Sequence, residues 1–123
     1  MAVKVLVVDD SAIMRKVIIS ALSAMNIDSE NVTQAEDGVQ AVKVASENQF
    51  DVILMDWNMP NMLGIDAVKA IRDQGNKTPI LMVTTEGEKS NVVKAIQAGA
   101  NNYLVKPFNA EDLRDRLSQM ISC

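Results

Sequence analysis

The chain has 123 residues, of which 48% are hydrophobic and 23% are charged, with 12 basic against 16 acidic side chains and a formal net charge of −4. This length fits one domain, and the acidic balance argues against direct binding of nucleic acid. The sequence has no histidine, which excludes Ser-His-Asp and Cys-His catalysis, histidine zinc sites and phosphohistidine carriers.

Five short apolar runs predict five β-strands, at residues 3–8, 31–35, 51–55, 79–83 and 102–105. Most of these runs do not alternate polar and apolar residues, which is typical of parallel strands that are covered on both faces. The run at residues 31–35 is the most polar, and we therefore place it at an edge of the sheet.

Apolar residues with helical spacing lie between and after these runs and predict five helices. The first helix has a favourable N-cap residue in Ser11, and Gly75 and Gly99 lie where C-terminal caps are expected. Strict alternation of strands and helices predicts right-handed βαβ crossovers. We therefore expect one domain over residues 1–123, an α/β doubly wound parallel sheet in a three-layer sandwich.

Polar side chains follow four of the predicted strands: Asp9 and Asp10 the first, Asp56 the third, Thr84 and Thr85 the fourth, and Lys106 the fifth. Ligands of open α/β sheets bind beyond the carboxyl ends of the strands, at the point where the strand order reverses. If the first and third strands are neighbours, three carboxylates converge on one crevice.

Three carboxylates in one crevice repel one another by about 4 kcal/mol per pair at about 4 Å in an effective dielectric of about 20. A hard divalent cation, for which Mg²⁺ suits best, would offset this repulsion, and Lys106 would supply a second positive charge. A cation, an ammonium group, a carboxylate and a nearby hydroxyl are the groups that phosphoryl transfer requires. The carboxylate can act as the nucleophile and form an acyl phosphate.

Four motifs in order resemble the receiver domain of two-component response regulators, and the likeness covers essentially the whole chain. The motifs are Val7-Val8-Asp9-Asp10-Ser11, Met55-Asp56-Trp57-Asn58-Met59-Pro60-Asn61-Met62, Val83-Thr84 and Val105-Lys106-Pro107-Phe108. The resemblance, and not the strand pattern, implies a flavodoxin-like fold with five strands in the order 2-1-3-4-5. It is strongest for the single-domain regulators of chemotaxis.

The resemblance implies that Asp56 accepts a phosphoryl group from the phosphohistidine of a partner histidine kinase. It also implies that Asp9, Asp10, Asp56 and the backbone carbonyl of Asn58 hold Mg²⁺. The protein would then be a phosphoacceptor that assists its own phosphotransfer and dephosphorylation, and not an enzyme with a separate substrate.

The same resemblance implies a switch that phosphorylation biases between two states. Lys106 would contact the phosphoryl group, and the Thr84 hydroxyl would turn toward it. Tyr103 would then move from an outward to an inward rotamer and reshape the face of the fourth helix, fifth strand and fifth helix; alternatively, Tyr103 is only an edge aromatic. Asn58 and Glu86 occupy positions that tune hydrolysis of the phosphoaspartate.

Two positions depart from the family pattern. Leu63 precedes Gly64 where an acidic residue is usual, which affects local loop contacts. Thr85 follows Thr84 where a smaller residue is usual, so its bulk would crowd the inward position of Tyr103. Which of the two hydroxyls would switch is left open by the sequence.

With no room for an effector domain in 123 residues, the signal would leave through a partner, for which we expect the flagellar motor switch. A phosphate sink or a receiver of a non-chemotaxis pathway is the alternative, and a phosphatase is a further partner. We expect a cytoplasmic monomer that does not insert into membranes, since the single cysteine, Cys123, cannot form an internal disulfide and no secretory leader is recognised.

Two rival functions use the same kind of fold. An aspartyl phosphatase needs a second acid two residues after its nucleophile, where Asn58 lies. A flavodoxin-like electron carrier needs a phosphate loop rich in Ser, Thr and Gly, where the sequence has Asp9 and Asp10. Met59 and Met62 are interpreted either as core side chains or as an apolar docking patch.

Overall fold

The computed structural model describes residues 2–85 and 87–121, and Glu86 and Cys123 lie outside these ranges. In the described ranges five strands alternate with five α-helices, and a 3₁₀ helix, Ser29–Asn31, precedes the second strand. The strands are β1 (Val5–Val8), β2 (Val32–Ala35), β3 (Val52–Met55), β4 (Ile80–Thr84) and β5 (Asn102–Val105). The helices are α1 (Ala12–Ser23), α2 (Gly38–Glu47), α3 (Gly64–Asp73), α4 (Lys89–Ala98) and α5 (Ala110–Ser118).

The strands form one parallel sheet in the order β2-β1-β3-β4-β5, which confirms the expected fold. β1 is therefore flanked by β2 and β3, and the strand order reverses between β1 and β3. The most polar strand, β2, lies at an edge of the sheet as predicted, and two of its four side chains are exposed.

Helices cover both faces of the sheet, so the central strands have no solvent-facing side. All residues of β1, β3 and β4 are buried. On one face, Val5 and Val7 pack in a cluster with side chains of α1 and α5. On the other face, Leu6 and Val8 pack in a cluster with side chains of α2, α3 and α4. Two covered faces explain why these strands are apolar at successive positions.

The ends of four strands differ from the sequence prediction. β1 begins at Val5 and not at residue 3, and β2, β3 and β4 each begin one residue later than predicted. β4 also runs to Thr84, one residue beyond its predicted end. Thr84 belongs to the strand because it pairs with Val105 and its carbonyl accepts a hydrogen bond from the N–H of Lys106 at 2.8 Å. The Thr84 side chain thereby has a fixed direction at the end of the sheet.

The predicted helix ends at Ser11, Gly75 and Gly99 agree with the structure. The Ser11 hydroxyl accepts a hydrogen bond from the N–H of Met14 at 3.2 Å and caps α1. Gly75 follows the C-cap of α3 with φ 80°, and Gly99 is the C-cap of α4 with φ 122°. Both φ values lie in the region that favours glycine. None of the helices in the described ranges is both long and apolar enough to cross a membrane.

Arg72, in the last turn of α3, joins three segments at the end of the sheet opposite the carboxyl ends of the strands. Its guanidinium donates to the carbonyls of Asn76 and Thr78 at 2.9 and 2.8 Å, and to the carbonyl of Gly99 at 3.0 and 2.9 Å. A further bond of 2.8 Å reaches Oδ1 of Asn101. Arg72 thus ties the end of α3 to the segments that lead into β4 and β5.

We predict that Arg72→Met lowers the free energy of unfolding by about 3 kcal/mol, because several backbone carbonyls lose a charged donor while the aliphatic length is kept. Lys69→Met, an exposed position on the same helix, is the control and should change stability little. Urea unfolding monitored by circular dichroism measures both variants. Equal stability of Arg72→Met and the wild type would show that these hydrogen bonds do not stabilise the fold.

Candidate functional site

The acidic side chains that the sequence places at strand ends meet beside β1 and β3. Val8 and Met55 are opposite each other in the register of these strands, so Asp9 and Asp56, the next residues, stand side by side. The N–H of Asp56 donates to the carbonyl of Val8 at 3.0 Å and extends the hydrogen-bond ladder by one residue. Asp10 follows Asp9 directly, and the three carboxylates belong to one cluster.

The three carboxylates are close enough to one another to be candidate ligands of one metal ion. One oxygen from each of Asp9, Asp10 and Asp56 lies within 4.8 Å of the others. Oxygens on opposite sides of a Mg²⁺ ion lie about 4.2 Å apart, because each Mg–O distance is about 2.1 Å. Asp9 and Asp56 are buried and Asp10 is exposed, so the cluster is open to solvent at Asp10. This hard oxygen donor set fits Mg²⁺.

Lys106, which follows the edge strand β5, brings a positive charge to the acidic cluster. Its Nζ donates to Oδ2 of Asp9 at 2.7 Å and lies 3.6 Å from Oδ2 of Asp56. The Lys106 and Asp56 side chains are each 10% exposed and that of Asp9 is 2% exposed. Because water is largely excluded, these ion pairs are screened far less than surface pairs.

The Asp56 carboxyl has a raised pKa, mainly because of its burial. The Lys106 ammonium opposes this rise in pKa, and the Asp9 carboxylate adds to it. The backbone N–H of Trp57 donates to Oδ1 of Asp56 at 2.8 Å, and the Thr84 side chain also hydrogen-bonds the carboxylate. Asp56 is therefore an oriented carboxylate whose negative charge is partly desolvated, which favours its action as a nucleophile.

The two threonines after β4 differ in their position. Thr84 is wholly buried and its hydroxyl faces Asp56, whereas Thr85 is exposed. Tyr103, on β5, is 7% exposed and packs in the cluster formed with α2, α3 and α4. The structure thus brings Thr84 to the acidic site and has the Tyr103 ring inside the protein.

The loop after β3 corrects one interpretation of the sequence. Met59 is 8% exposed and belongs to the core, and Met62 is half-buried against the same core, so the two do not form an exposed docking patch. Asn58 is exposed. Leu63 is 41% exposed and precedes α3 without a side-chain capping bond, so the departure from an acidic residue leaves this helix uncapped by a side chain.

Arg15 and Gly64 support the site, and neither was identified from the sequence as a supporting residue. Arg15 is 8% exposed, and its guanidinium donates to the backbone carbonyl of Asp9 at 2.6 Å and to Oε1 of Gln34 on β2 at 2.9 Å. A Cβ on Gly64 would lie 1.8 Å from the carbonyl oxygen of Asp56, so only glycine fits there. Arg15 could have been found, because it shares the buried face of α1 with Ile18 and Leu22.

We predict that Asp56→Asn raises the free energy of unfolding at pH 7 in the presence of a chelator. The pKa of Asp56 in the folded state is raised above its ordinary value of 3.8, so the folded state binds this proton more tightly than the unfolded state does. Ionisation of Asp56 therefore lowers the stability of the fold as pH rises from 3.8 through the raised pKa. The gain should shrink as pH falls toward 3.8 and below. Denaturant unfolding between pH 3 and 7 measures it, with Asp66→Asn, exposed on α3, as control. A variant less stable than the wild type at pH 7 would contradict the prediction.

Comparison with known proteins agrees with this geometry. The family described as response regulator receiver domain matches residues 5–118. Chemotaxis protein CheY1 of Helicobacter pylori is 44% identical over 121 residues, which are 96% of this chain and 96% of that protein. The chemotaxis protein CheY homolog of Campylobacter jejuni is 43% identical over 121 residues, which are 96% of this chain and 92% of that protein.

Solved structures show the same fold. Chemotaxis protein CheY4 of Vibrio cholerae has a TM-score of 0.89 and 41% identity, over 98% of this chain and 100% of that chain. The receiver domain of sensor histidine kinase PA1611 from Pseudomonas aeruginosa, with a magnesium ion coordinated in its active-site cleft, has a TM-score of 0.87 and 33% identity, over 98% of both chains. Sequence, fold and site agree that this chain belongs to the response regulator receiver family and resembles its CheY-type chemotaxis members.

Proposed function

We propose that the protein is a signalling switch in which Asp56 accepts a phosphoryl group from a phosphohistidine of a histidine kinase. The observation that carries this proposal is the position of the Asp56 carboxylate, 3.6 Å from the Lys106 ammonium and clustered with Asp9 and Asp10. Receiver-family membership favours this function over an aspartyl phosphatase or a flavodoxin-like carrier. Asp56 is a phosphoacceptor in this proposal, so the protein turns over no separate substrate.

In the proposed transfer, an oxygen of Asp56 attacks the phosphorus in line with the leaving imidazole. An O–P bond to Asp56 forms, the P–N bond of the phosphohistidine breaks, and the imidazole leaves with its electron pair. Asp9, Asp10, Asp56 and the backbone carbonyl of Asn58 would hold Mg²⁺, which would neutralise part of the phosphoryl charge when bound. Lys106 contacts the phosphoryl oxygens, since its Nζ already lies 3.6 Å from Oδ2 of Asp56.

The switch in this proposal runs from Thr84 and Lys106 to the face formed by α4, β5 and α5. Thr84 is the last residue of β4 and pairs with Val105 on β5, two residues after Tyr103. Val93, Ile96 and Val105 are 45%, 45% and 41% exposed and give this face an apolar surface. Phosphorylation changes what the Thr84 hydroxyl and the Lys106 ammonium contact, and this difference favours the buried position that the Tyr103 ring already has in this structure, so no outward-to-inward movement is needed from the state described here.

The partner that we propose for this face is the flagellar motor switch, because relatives that span nearly the whole chain are named chemotaxis proteins. We place this exchange in the cytoplasm, with the kinase and a phosphatase as further partners. Phosphorylation without any change in motor-switch binding would favour the phosphate-sink alternative.

We predict that a small-molecule phosphodonor with Mg²⁺ adds one phosphoryl group per chain, and that a chelator prevents the addition. Asp56→Asn should take up none, because the amide lacks the nucleophilic oxygen. Asp66→Asn, the same substitution on the exposed side of α3, should behave as the wild type. Intact-mass spectrometry measures phosphoryl uptake by all three proteins. Uptake by Asp56→Asn at the wild-type level would show that another residue is the acceptor.

We predict that Lys106→Ala accepts the phosphoryl group about a hundredfold more slowly, because a preorganised charge on the phosphoryl oxygens is lost. The phosphorylated variant should also fail to bind a motor-switch peptide more tightly than its unphosphorylated form. The rate is followed by intact mass, and binding by fluorescence anisotropy of the labelled peptide. Lys77→Ala, at an exposed position, is the control, and a normal phosphorylation-dependent gain in binding by Lys106→Ala would contradict the mechanism.

A further inference from the structure

The loop between β3 and α3, residues 56–63, carries two groups of the proposed site. Asp56 is its first residue, and Asn58 supplies the backbone carbonyl that we assign to Mg²⁺. A backbone carbonyl binds an ion well only if the loop that carries it is already ordered, because ordering on binding lowers the affinity. What holds this loop in place therefore bears on the metal site.

A buried carboxylate from a different loop contacts the middle of this segment. Asp37, the residue before α2, is 8% exposed. Its Oδ2 accepts a hydrogen bond from Nδ2 of Asn61 at 2.7 Å, and its Oδ1 accepts one from the N–H of Gln40 at 2.8 Å. One carboxylate thus caps α2 and binds the β3–α3 loop at the same time.

The Asp37–Asn61 bond is a partly buried bond between a charged carboxylate and a neutral amide. The N–H of Gln40 and the side chain of Asn61 hold the pKa of Asp37 below its ordinary value, so the carboxylate is charged at neutral pH. Hydrogen bonds to a charged acceptor are about twice as strong as bonds between neutral groups. Asn61 also has φ 68°, a conformation that asparagine adopts more readily than most residues.

Backbone packing beside this bond restricts the loop further. A Cβ on Gly38 would lie 2.8 Å from the carbonyl oxygen of Met62 and 2.9 Å from its Cβ. The first residue of α2 therefore touches the loop directly next to the Asp37–Asn61 bond. Met62 also packs against the core cluster that contains Met59.

We propose that the Asp37–Asn61 hydrogen bond positions the β3–α3 loop so that the Asn58 carbonyl is ready to bind Mg²⁺. Asp37 and Asn61 are positioning residues in this inference and do not bind the ion themselves. The inference rests on the proposed function, because it assigns a role toward the Mg²⁺ site. It predicts that this bond determines metal affinity without adding a ligand.

The test compares Mg²⁺ binding of the wild type with that of Asn61→Gly, which removes the amide, adds no charge and tolerates φ 68°. The Mg²⁺ dissociation constant is measured by fluorescence of the neighbouring Trp57 and, independently, by calorimetry. Asn61→Gly should bind Mg²⁺ about tenfold more weakly, the lower end of the loss seen when groups that orient metal ligands are removed. Hydrogen exchange of loop amides in a chelator should be faster than in the wild type.

Asn26→Gly is the matched control, because Asn26 is exposed, has φ 66° and lies after α1, at the end of the sheet away from the site. It should bind Mg²⁺ as the wild type does. The double exchange Asp37→Asn with Asn61→Asp keeps the net charge, keeps a good N-cap for α2 and restores a carboxylate–amide pair with its direction reversed. This variant should recover most of the lost affinity.

Equal Mg²⁺ affinity of Asn61→Gly and the wild type would overturn the inference and leave the Mg²⁺ site intact. Weak binding by Asn61→Gly that the double exchange does not restore would also overturn it, because loss of the pair would not be the cause. A wild-type protein that binds no Mg²⁺ would instead overturn the proposed function. In that case unchanged hydrogen exchange in Asn61→Gly would overturn the positioning role of the pair as well.

Discussion

The close packing of like charges at the ends of β1 and β3 is the constraint on which the rest of the site depends. Asp9 and Asp56 are buried side by side, and such a pair is unfavourable unless positive charge is near. The Lys106 ammonium, 2.7 Å from one carboxylate and 3.6 Å from the other, offsets part of the repulsion. The repulsion that Lys106 does not offset favours binding of a divalent cation. The same repulsion therefore lowers the stability of the fold and raises the affinity of the cluster for a cation.

The sheet can hold such a site because its central strands are covered on both faces. Val8 and Met55 are buried at the ends of β1 and β3, and their packing fixes the residues that follow to within a narrow range of positions. The Cβ-free backbone of Gly64 lets α3 start against the carbonyl of Asp56. The reacting side chains thus extend from rigid strands, whereas the exposed Asn58 sits in a loop that needs its own support.

The positions of the strands and the edge position of β2 could be predicted from the sequence, because both depend on the local pattern of apolar and polar residues. The acidic cluster could be predicted because a parallel sheet brings the carboxyl ends of its strands together. The residues that support the site are different. Arg15 reaches Gln34, 19 positions away, and Asp37 reaches Asn61, 24 positions away. Such contacts depend on how loops and helices sit relative to the sheet, which apolar periodicity does not encode. An arginine on the apolar face of a helix is a recognisable sign of a supporting residue, whereas nothing in the sequence around Asp37 indicates its contact with Asn61.

The ion pairs of Lys106 also explain how the proposed switch can report the state of Asp56. In this structure the ammonium donates to Asp9 and lies farther from Asp56. A phosphoryl group on Asp56 adds negative charge to the farther partner, so the two acids compete for one cation, and the balance moves toward the phosphorylated side chain. Lys106 directly follows β5, which carries Tyr103. A shift of the Lys106 ammonium therefore acts on β5, which is the central element of the proposed partner-binding face.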